Sequence, residues 1–255
     1  MLAIGTGIVW AGSWIVLSGA GTAFVDGSKN KLMTESAEAG FRVANVYIEG
    51  RHYTDPQSLR AILNVEKGDP LFSFDVAEAQ KLIERLSWVR STEVKRQFPD
   101  TIHVRLVERQ PYAIWQRHGR ISVIDAEGEV LTDQRAAEFA SLPVLAGDDV
   151  PKQAKAFVTM LEAEPDLYKQ VEGATLVSGR RWDLTLKNGI VVKLPEDDIG
   201  LALSTLVHAH KEDRLLAKDI AAVDLRDASR LIIETRPGAV HDYLGQVAPA
   251  SGNPI

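Results

Sequence analysis

The residues of this chain that could carry chemistry are six histidines, two acidic pairs and a cluster of basic side chains. The histidines are His52, His103, His118, His208, His210 and His241. Binding a transition metal would need two or three of them at ligand spacing. None stands in an HExxH pattern. His208 and His210 are two residues apart on a predicted helix, a spacing that turns them away from each other. They read as surface residues. Asp148-Asp149 and Asp197-Asp198 bring carboxylates together, as acid–base work requires. Each pair is more simply a loop or helix-cap feature. There is no GxSxG elbow and no phosphate-binding P-loop. Gly5-Thr6-Gly7 and Gly19-Ala20-Gly21 lie in an apolar segment and open no phosphate-binding helix. The chain has no cysteine, which removes disulfides, thiolate nucleophiles and Cys-ligated metals. The expectation is a protein with no catalytic residue, no metal, no cofactor and no small-molecule substrate.

What remains is the chemistry of binding. Arg90, Lys95, Arg96, Arg105 and Arg109 form a basic cluster, read as a solvated sheet face or as a docking surface for an acidic partner. Arg180-Arg181-Trp182 is a structural corner or a contact site. The net charge of −6 gives no electrostatic reason to expect nucleic acid. The sharpest candidate is the segment Ser229 to Thr235. It is short, apolar and β-branched at its centre, with charges at Arg230, Glu234 and Arg236. At a sheet edge its backbone would be unpaired on one side, and a partner could add a strand there. In a sheet interior both of its faces would be buried instead.

Something must position that strand, and the chain supplies it in stages. Leu2 to Val25 contains no charged residue. A helix of about 20 apolar residues crosses a bilayer core, so residues 1–26 read as a transmembrane helix. A cleaved signal peptide and a buried core helix are the alternatives. No Lys or Arg precedes the segment, whereas Lys29 and Lys31 follow it. That distribution is opposite to the one expected for an exported C-terminal bulk. It suggests a basic leader upstream of Met1. Residues 27–40 are polar and small, a juxtamembrane linker.

From Phe41 the pattern turns globular. The 255 residues, 45% of them hydrophobic, suffice for one large domain or two small ones. Phe41, Val43, Val46 and Ile48 predict a strand with one slip of register, closed by Gly50. Thr54 or Asp55 can cap a helix that starts at Pro56. Gly68-Asp69-Pro70 breaks the chain, and Leu71 and Phe72 read as apolar plugs. Asp75 can cap a second helix. Strands at Val89 to Arg96 and Thr101 to Val107 follow, joined by the turn Phe98-Pro99-Asp100-Thr101. The order is β-α-α-β-β.

Gly68-Asp69-Pro70-Leu71-Phe72, Trp88-Val89, Phe98-Pro99-Asp100-Thr101 and Glu108-Arg109-Gln110-Pro111 stand in an order that resembles a POTRA domain. More narrowly, they resemble the POTRA domain of the FtsQ/DivIB family of bacterial cell-division proteins. The resemblance bounds that domain at 41–109.

Residues 110–236 predict a second, mostly antiparallel β-domain with one or two helices. Its hairpins are marked by His118-Gly119-Arg120 and by Lys187-Asn188-Gly189, where Asn and Gly both tolerate positive φ. A helix is expected from about Lys152 to Leu161. Another runs from a cap at Asp197 or Asp198 to about His210, burying Leu203, Leu206 and Val207. Strands at Ile220 to Leu225 and Arg230 to Glu234 close the fold. Arg181-Trp182-Asp183-Leu184, Leu194-Pro195-Glu196 and Val223-Asp224-Leu225-Arg226 are similar in order to the β-domain of the same family. Residues 237–255, rich in Pro, Gly, Ala and Ser, read as a disordered tail.

The resemblance implies an α+β, non-catalytic, single-pass inner-membrane protein with a cytoplasmic N-terminus. Its two domains would lie in the periplasm at the septum and bridge early and late division proteins. It further implies that the end of the β-domain binds the coiled-coil proteins FtsB and FtsL. Arg226 would then meet an acid of FtsB, and Ser229, Arg230, Leu231, Ile232, Ile233 and Glu234 would line an added strand. The alternative is a POTRA component of an outer-membrane assembly or secretion system. Such proteins carry repeated POTRA units before a long barrel, and only one unit is legible here.

Overall fold

The computed structural model describes residues 34–227 and 230–237. The expected span at 1–26, most of the linker and nearly all of the tail lie outside the described residues. Among the described residues no helix is long and apolar enough to cross a membrane. The chain divides into two compact units between Arg109 and Gln110.

The first unit contains β1 (Asn45–Glu49), α1 (Pro56–Leu63), α2 (Val76–Ile83), β2 (Val89–Gln97) and β3 (Thr101–Glu108). Both helices start where a short acid precedes a helical run. The Asp55 carboxylate accepts the Ser58 N–H at 2.8 Å and the Asp75 carboxylate accepts the Glu78 N–H at 3.0 Å. Each bond satisfies one of the donors that a helix start leaves open. The three strands lie in the order β1-β3-β2, with β3 parallel to β1 and antiparallel to β2. Leu59 and Leu63 of α1 and Ala79 and Ile83 of α2 pack on Val94, Ile102, Val104 and Leu106 of the sheet.

Two local expectations change. The first strand begins at Asn45, not Phe41. Phe41 to Val43 is instead tied to the loop before α2. Leu71 N–H donates to the Phe41 carbonyl at 2.9 Å, and Val43 N–H donates to the Asp69 carbonyl at 2.9 Å. Of the two expected plugs, Leu71 is fully buried but Phe72 is 37% exposed.

Among its described residues the second unit is built on one nine-stranded sheet. Its strands are β4 (Ala113–Arg117), β5 (Arg120–Ile124), β6 (Val130–Thr132), β7 (Val144–Ala146), β8 (Val171–Val177), β9 (Arg181–Leu186), β10 (Val191–Lys193), β11 (Ile220–Asp224) and β12 (Ile232–Thr235). They lie in the order β12-β11-β10-β9-β8-β7-β4-β5-β6. The expected mostly antiparallel domain is a mixed sheet, because β4–β7, β7–β8 and β10–β11 are parallel pairs. A parallel pair needs a crossover, and helices supply two of the three. Helix α3 (Val150–Glu162) and the one-turn α4 (Pro165–Tyr168) return β7 to β8. Helix α5 (Ile199–Asp213) returns β10 to β11.

Alternation along β9 decides which face these helices cover. Trp182, Leu184 and Leu186 are buried, while Arg181, Asp183 and Thr185 are half-exposed. Phe157 and Leu161 of α3 and Leu203 and Leu206 of α5 join the buried set in one core. The Trp182 and Phe157 rings stack 4.0 Å apart, 10° from parallel. On β9 the opposite face carries the half-exposed Arg181, Asp183 and Thr185.

Asp198 precedes α5 in a left-handed conformation, φ 55°, and its side chain makes no capping bond. At the Asn188-Gly189 turn only Gly189 has positive φ. The Asn188 side chain ties the turn down instead, donating to the Leu216 carbonyl at 2.8 Å and accepting from the Ile190 N–H.

Candidate partner-binding site

Among the described residues strand β12 is the first strand of the nine-stranded sheet and pairs only with β11, antiparallel. The paired register begins at Asp224↔Ile232 and Val223↔Ile233. Val223 is fully buried, so Ile233 points to the helix-covered face and Ile232 to the polar face. Both are exposed, Ile232 by 54% and Ile233 by 43%. An apolar β-branched pair on an outer strand is what most sheet edges avoid. The regular strand starts at Ile232 rather than Arg230 and extends to Thr235.

Arg230 and Leu231, just before the strand, lie beside the start of α5. Leu231 is half-buried and packs against the core. Arg230 lies 3.6 Å from Asp227. With Pro195, Asp198, Leu201, Ala202, Thr205 and Leu225 these residues line a groove of about 110 Å³. That is small beside the ~300–1,000 Å³ of a metabolite pocket, and it suits one apolar side chain. Leu201, 63% exposed, forms its rim. Sequence reading did not single out Leu201. The available signal was its place off the buried stripe of Leu203, Leu206 and Val207 on the same helix.

Arg226 is held from within the chain. Its guanidinium grips the Asp224 carboxylate through Nε at 2.9 Å and Nη2 at 2.6 Å. Its backbone N–H also donates to that carboxylate at 3.0 Å. The hydrogen bonds from Arg226 hold the Asp224 carboxyl below its usual range, and Asp224 in turn raises Arg226. The Arg226 side chain remains half exposed. On the polar face Asp224 stands beside Lys193, and Lys193 beside Asp183. Lys193 also lies 3.9 Å from Glu234 of β12. Charges of alternating sign thus run inward from the edge. The structure brings Arg226, Arg230, Leu231, Ile232, Ile233 and Glu234 to one margin of the sheet; Ser229 lies outside the described residues.

The basic cluster of the first unit does not assemble as one patch. Arg105 reaches Glu49 at 3.3 Å, and Lys95 pairs with Glu93. His103 meets the same Glu49 at 3.1 Å. Arg96 turns to the helix side, where its guanidinium donates to the Phe74 carbonyl. The outer face is therefore a lattice of paired charges. Arg180 pairs with Glu196 at 2.9 Å and Arg181 with Asp183 at 3.3 Å, while Trp182 between them is buried. That makes the segment a structural corner.

The Asp148-Asp149 pair and several of the histidines are also engaged locally. Asp148 meets His118 at 3.0 Å and Arg117 at 3.2 Å. Asp149 holds Lys152 at 2.8 Å. His208 reaches Glu212 at 3.2 Å. His210 has a structural task, since its Nδ1 accepts the Leu216 N–H at 3.1 Å. Among the described residues no group of three or more His, Asp or Glu is placed to hold a metal ion.

Comparison with known proteins agrees with both units. Residues 41–109 match the family described as "POTRA domain, FtsQ-type". Residues 113–226 match the family described as "Cell division protein FtsQ/DivIB, C-terminal". The chain is 36% identical over 236 residues to the cell division protein FtsQ of Rhizobium meliloti, covering 92% of this chain and 76% of the relative. It is 36% identical over 206 residues to the FtsQ of Agrobacterium fabrum, covering 81% and 65%. It is 33% identical over 200 residues to the FtsQ of Caulobacter vibrioides, covering 78% and 66%.

Proposed function

The chain belongs to the FtsQ/DivIB family of cell division proteins, and from that membership we propose that it is a scaffold of the bacterial division machinery that binds rather than catalyses. Residues 2–25 anchor it in the inner membrane with a cytoplasmic N-terminus. The POTRA unit, residues 41–109, and the β-domain, residues 110–236, work in the periplasm at the septum. They link early division proteins to late ones. The β-domain receives FtsB, and FtsL through it.

The observation that carries this reading is the β12 edge. A strand flanked on one side only leaves backbone N–H and C=O groups free on the other. An incoming strand satisfies them, and alternate side chains supply specificity. Ile232 and Ile233 offer apolar area to both faces of such a strand. The groove beside Leu201 can take a side chain from the segment that leads into it. The charge row on the polar face, from Arg226 through Asp224 to Lys193, favours a partner with charges on the matching positions.

The test is copurification of the full-length chain with an FtsB–FtsL pair, comparing the native β12 with proline variants of it. Retained binding in every variant would sink the edge-strand reading. Reporter fusions at Ile255 check the topology. Depletion of the protein should give filamentous cells, and normal cell length would count against a role in division.

A further inference from the structure

The first unit carries an exposed aromatic cluster that its own fold does not bury. Phe41, Phe72 and Phe98 form a closed trio, with ring centroids 5.6 Å apart for Phe41–Phe72, 5.9 Å for Phe41–Phe98 and 5.7 Å for Phe72–Phe98. Phe98 is 60% exposed and Phe72 is 37% exposed. Three separate segments build the cluster: the approach to β1, the loop before α2 and the β2–β3 turn. Backbone bonds hold them together. Ala44 N–H donates to the Asp100 carbonyl at 2.8 Å, Val43 N–H to Asp69 at 2.9 Å and Leu71 N–H to Phe41 at 2.9 Å. The trio is therefore a preformed surface. Exposed apolar patches that polar loops do not interrupt mark interaction sites.

The position of the trio in the unit selects its occupant. The chain enters the unit at this pole, because Asn45 opens β1 opposite Thr101, the first residue of β3. It leaves at the other pole, after Glu108 at the end of β3. Seven strand steps separate the two ends of β3, about 23 Å at strand rise. The segment that enters is the one that follows the apolar run ending at Val25. From Val25 to Thr34 there are nine Cα steps, so Thr34 lies within about 30 Å of the end of that run. From Thr34 onward the approach is tied to the trio, since Phe41 N–H donates to the Ser36 carbonyl at 3.1 Å and Arg42 Nε to the Ala37 carbonyl at 2.9 Å.

We propose that the Phe41–Phe72–Phe98 trio seats the POTRA pole on the outer surface of the bilayer that residues 2–25 cross, with the Phe72 and Phe98 rings entering the boundary between headgroups and acyl chains. This rests on the membrane anchoring proposed above. Aromatic and aliphatic side chains on a polar body partition to that boundary. Acids outnumber bases at this end of the unit, with Glu35, Glu38, Glu66, Asp69 and Asp100 against Arg42 and Lys67, so it offers no basic surface to anionic lipid. The contact is then apolar and does not require anionic lipid. Its effect is to fix the height and tilt of the unit above the membrane, which a free linker would leave open.

The test uses the full chain in phosphatidylcholine nanodiscs, one chain per disc. Because the protein has no cysteine, an environment-sensitive fluorophore goes on Gln97→Cys beside the trio. A control fluorophore goes on Ser91→Cys, at the other end of β2. The expected result is blue-shifted emission at position 97, with quenching by nitroxide-labelled lipid severalfold stronger than at 91 and insensitive to salt. Phe72→Ser combined with Phe98→Ser should remove the difference while circular dichroism stays unchanged. Equal, water-like emission at both positions in an anchored chain would overturn this inference alone. A blue shift without lipid quenching would also overturn it, by showing protein and not lipid on the trio. Release of the chain by alkaline extraction would instead overturn the anchoring, and this inference with it.

Discussion

Glu108, at the end of β3, closes the loop that leads into α1 by accepting hydrogen bonds from Thr54. Thr54 donates both its hydroxyl and, at 2.8 Å, its backbone N–H to the Glu108 carboxylate. The N–H groups of Tyr53 at 2.9 Å and His52 at 2.8 Å join them on the other oxygen. Thr54 and Glu108 are both buried. The turn has no sheet or helix to satisfy these donors, so one carboxylate does it for three residues. The glutamate of the Glu108-Arg109-Gln110-Pro111 run, read from sequence only as a family mark, thus has a structural task.

Replacing Glu108 with Ala should cost the POTRA unit about 2–4 kcal/mol, because removing the acceptor leaves buried donors without a partner. Gln, which keeps one acceptor oxygen, should cost less. The pH dependence follows from the carboxyl's shift. Burial pushes Glu108 up, but the Thr54 hydroxyl and the three N–H groups outweigh it and hold it below the usual 4.5. A lowered folded value means that the stabilisation is present above the unfolded value and is lost as pH falls through the folded one. Thermal unfolding of native protein and Glu108→Gln should therefore diverge at neutral pH and converge in acid. A gap that does not change with pH would argue against a charged carboxylate here.

Gly50 ends β1 with φ +78°, and a Cβ there would run into the backbone carbonyl of Leu106. Neither the left-handed backbone nor that close approach admits a side chain without movement. Gly50→Ala should destabilise the first unit by about 2 kcal/mol or more, read by chemical denaturation. A neutral result would show that β1 and β3 can separate at their ends without cost.

How far the sequence carried these arguments depends on the range of the interaction. A cap at Thr54 or Asp55 and one at Asp75 are legible because a cap acts over three residues, and of the first two Asp55 is the one used. The buried stripe of α5 was legible for the same reason. The mixed nature of the second sheet was not read, since Val144–Ala146 is three residues long and its neighbours β4 and β8 are decided by packing at long range. One local clue existed: a helix between consecutive strands, as α5 lies between β10 and β11, points to a parallel pair. The last strand was found from its composition, but its one-sided pairing is a property of the whole sheet. Phe72 departs from its expected place because an apolar residue beside a buried Leu71 looks the same in sequence whether it points in or out.

The stack of Trp182 on Phe157 is the largest fully buried pair in the second unit, each ring 1% exposed. It joins β9 at the middle of the sheet to α3. Trp182→Ala should cost about 3–5 kcal/mol, the range for a large buried aromatic. Trp182→Leu should cost less because it leaves a smaller cavity. Urea unfolding followed by circular dichroism gives both values. A loss under 1 kcal/mol for the alanine variant would mean that the neighbouring side chains close over the gap.

At the β12 edge two roles for Arg226 must be separated, holding its own turn and meeting a partner. Arg226→Glu removes an ion pair that is half exposed on the arginine side and sets a carboxylate beside Asp224; the lost pair contributes about 0–1 kcal/mol to folding and the like-charge contact costs a similar amount. The variant should stay folded yet lose capture of FtsB. The paired exchange Asp224→Arg with Arg226→Asp keeps a salt bridge across the turn but reverses which charge faces outward. Binding that stays lost in the exchange assigns Arg226 to the partner; binding that returns assigns it to the turn. Prolines at 232 and 233 probe the strand independently. Backbone N–H groups alternate in direction along a strand, so one of these residues donates to β11 and the other away from it. The outward one should tolerate proline with an unchanged fold and lose the partner, because proline cannot donate to an added strand. If both variants fold and both still bind, the partner docks on side chains alone, and the open backbone of β12 is not its site.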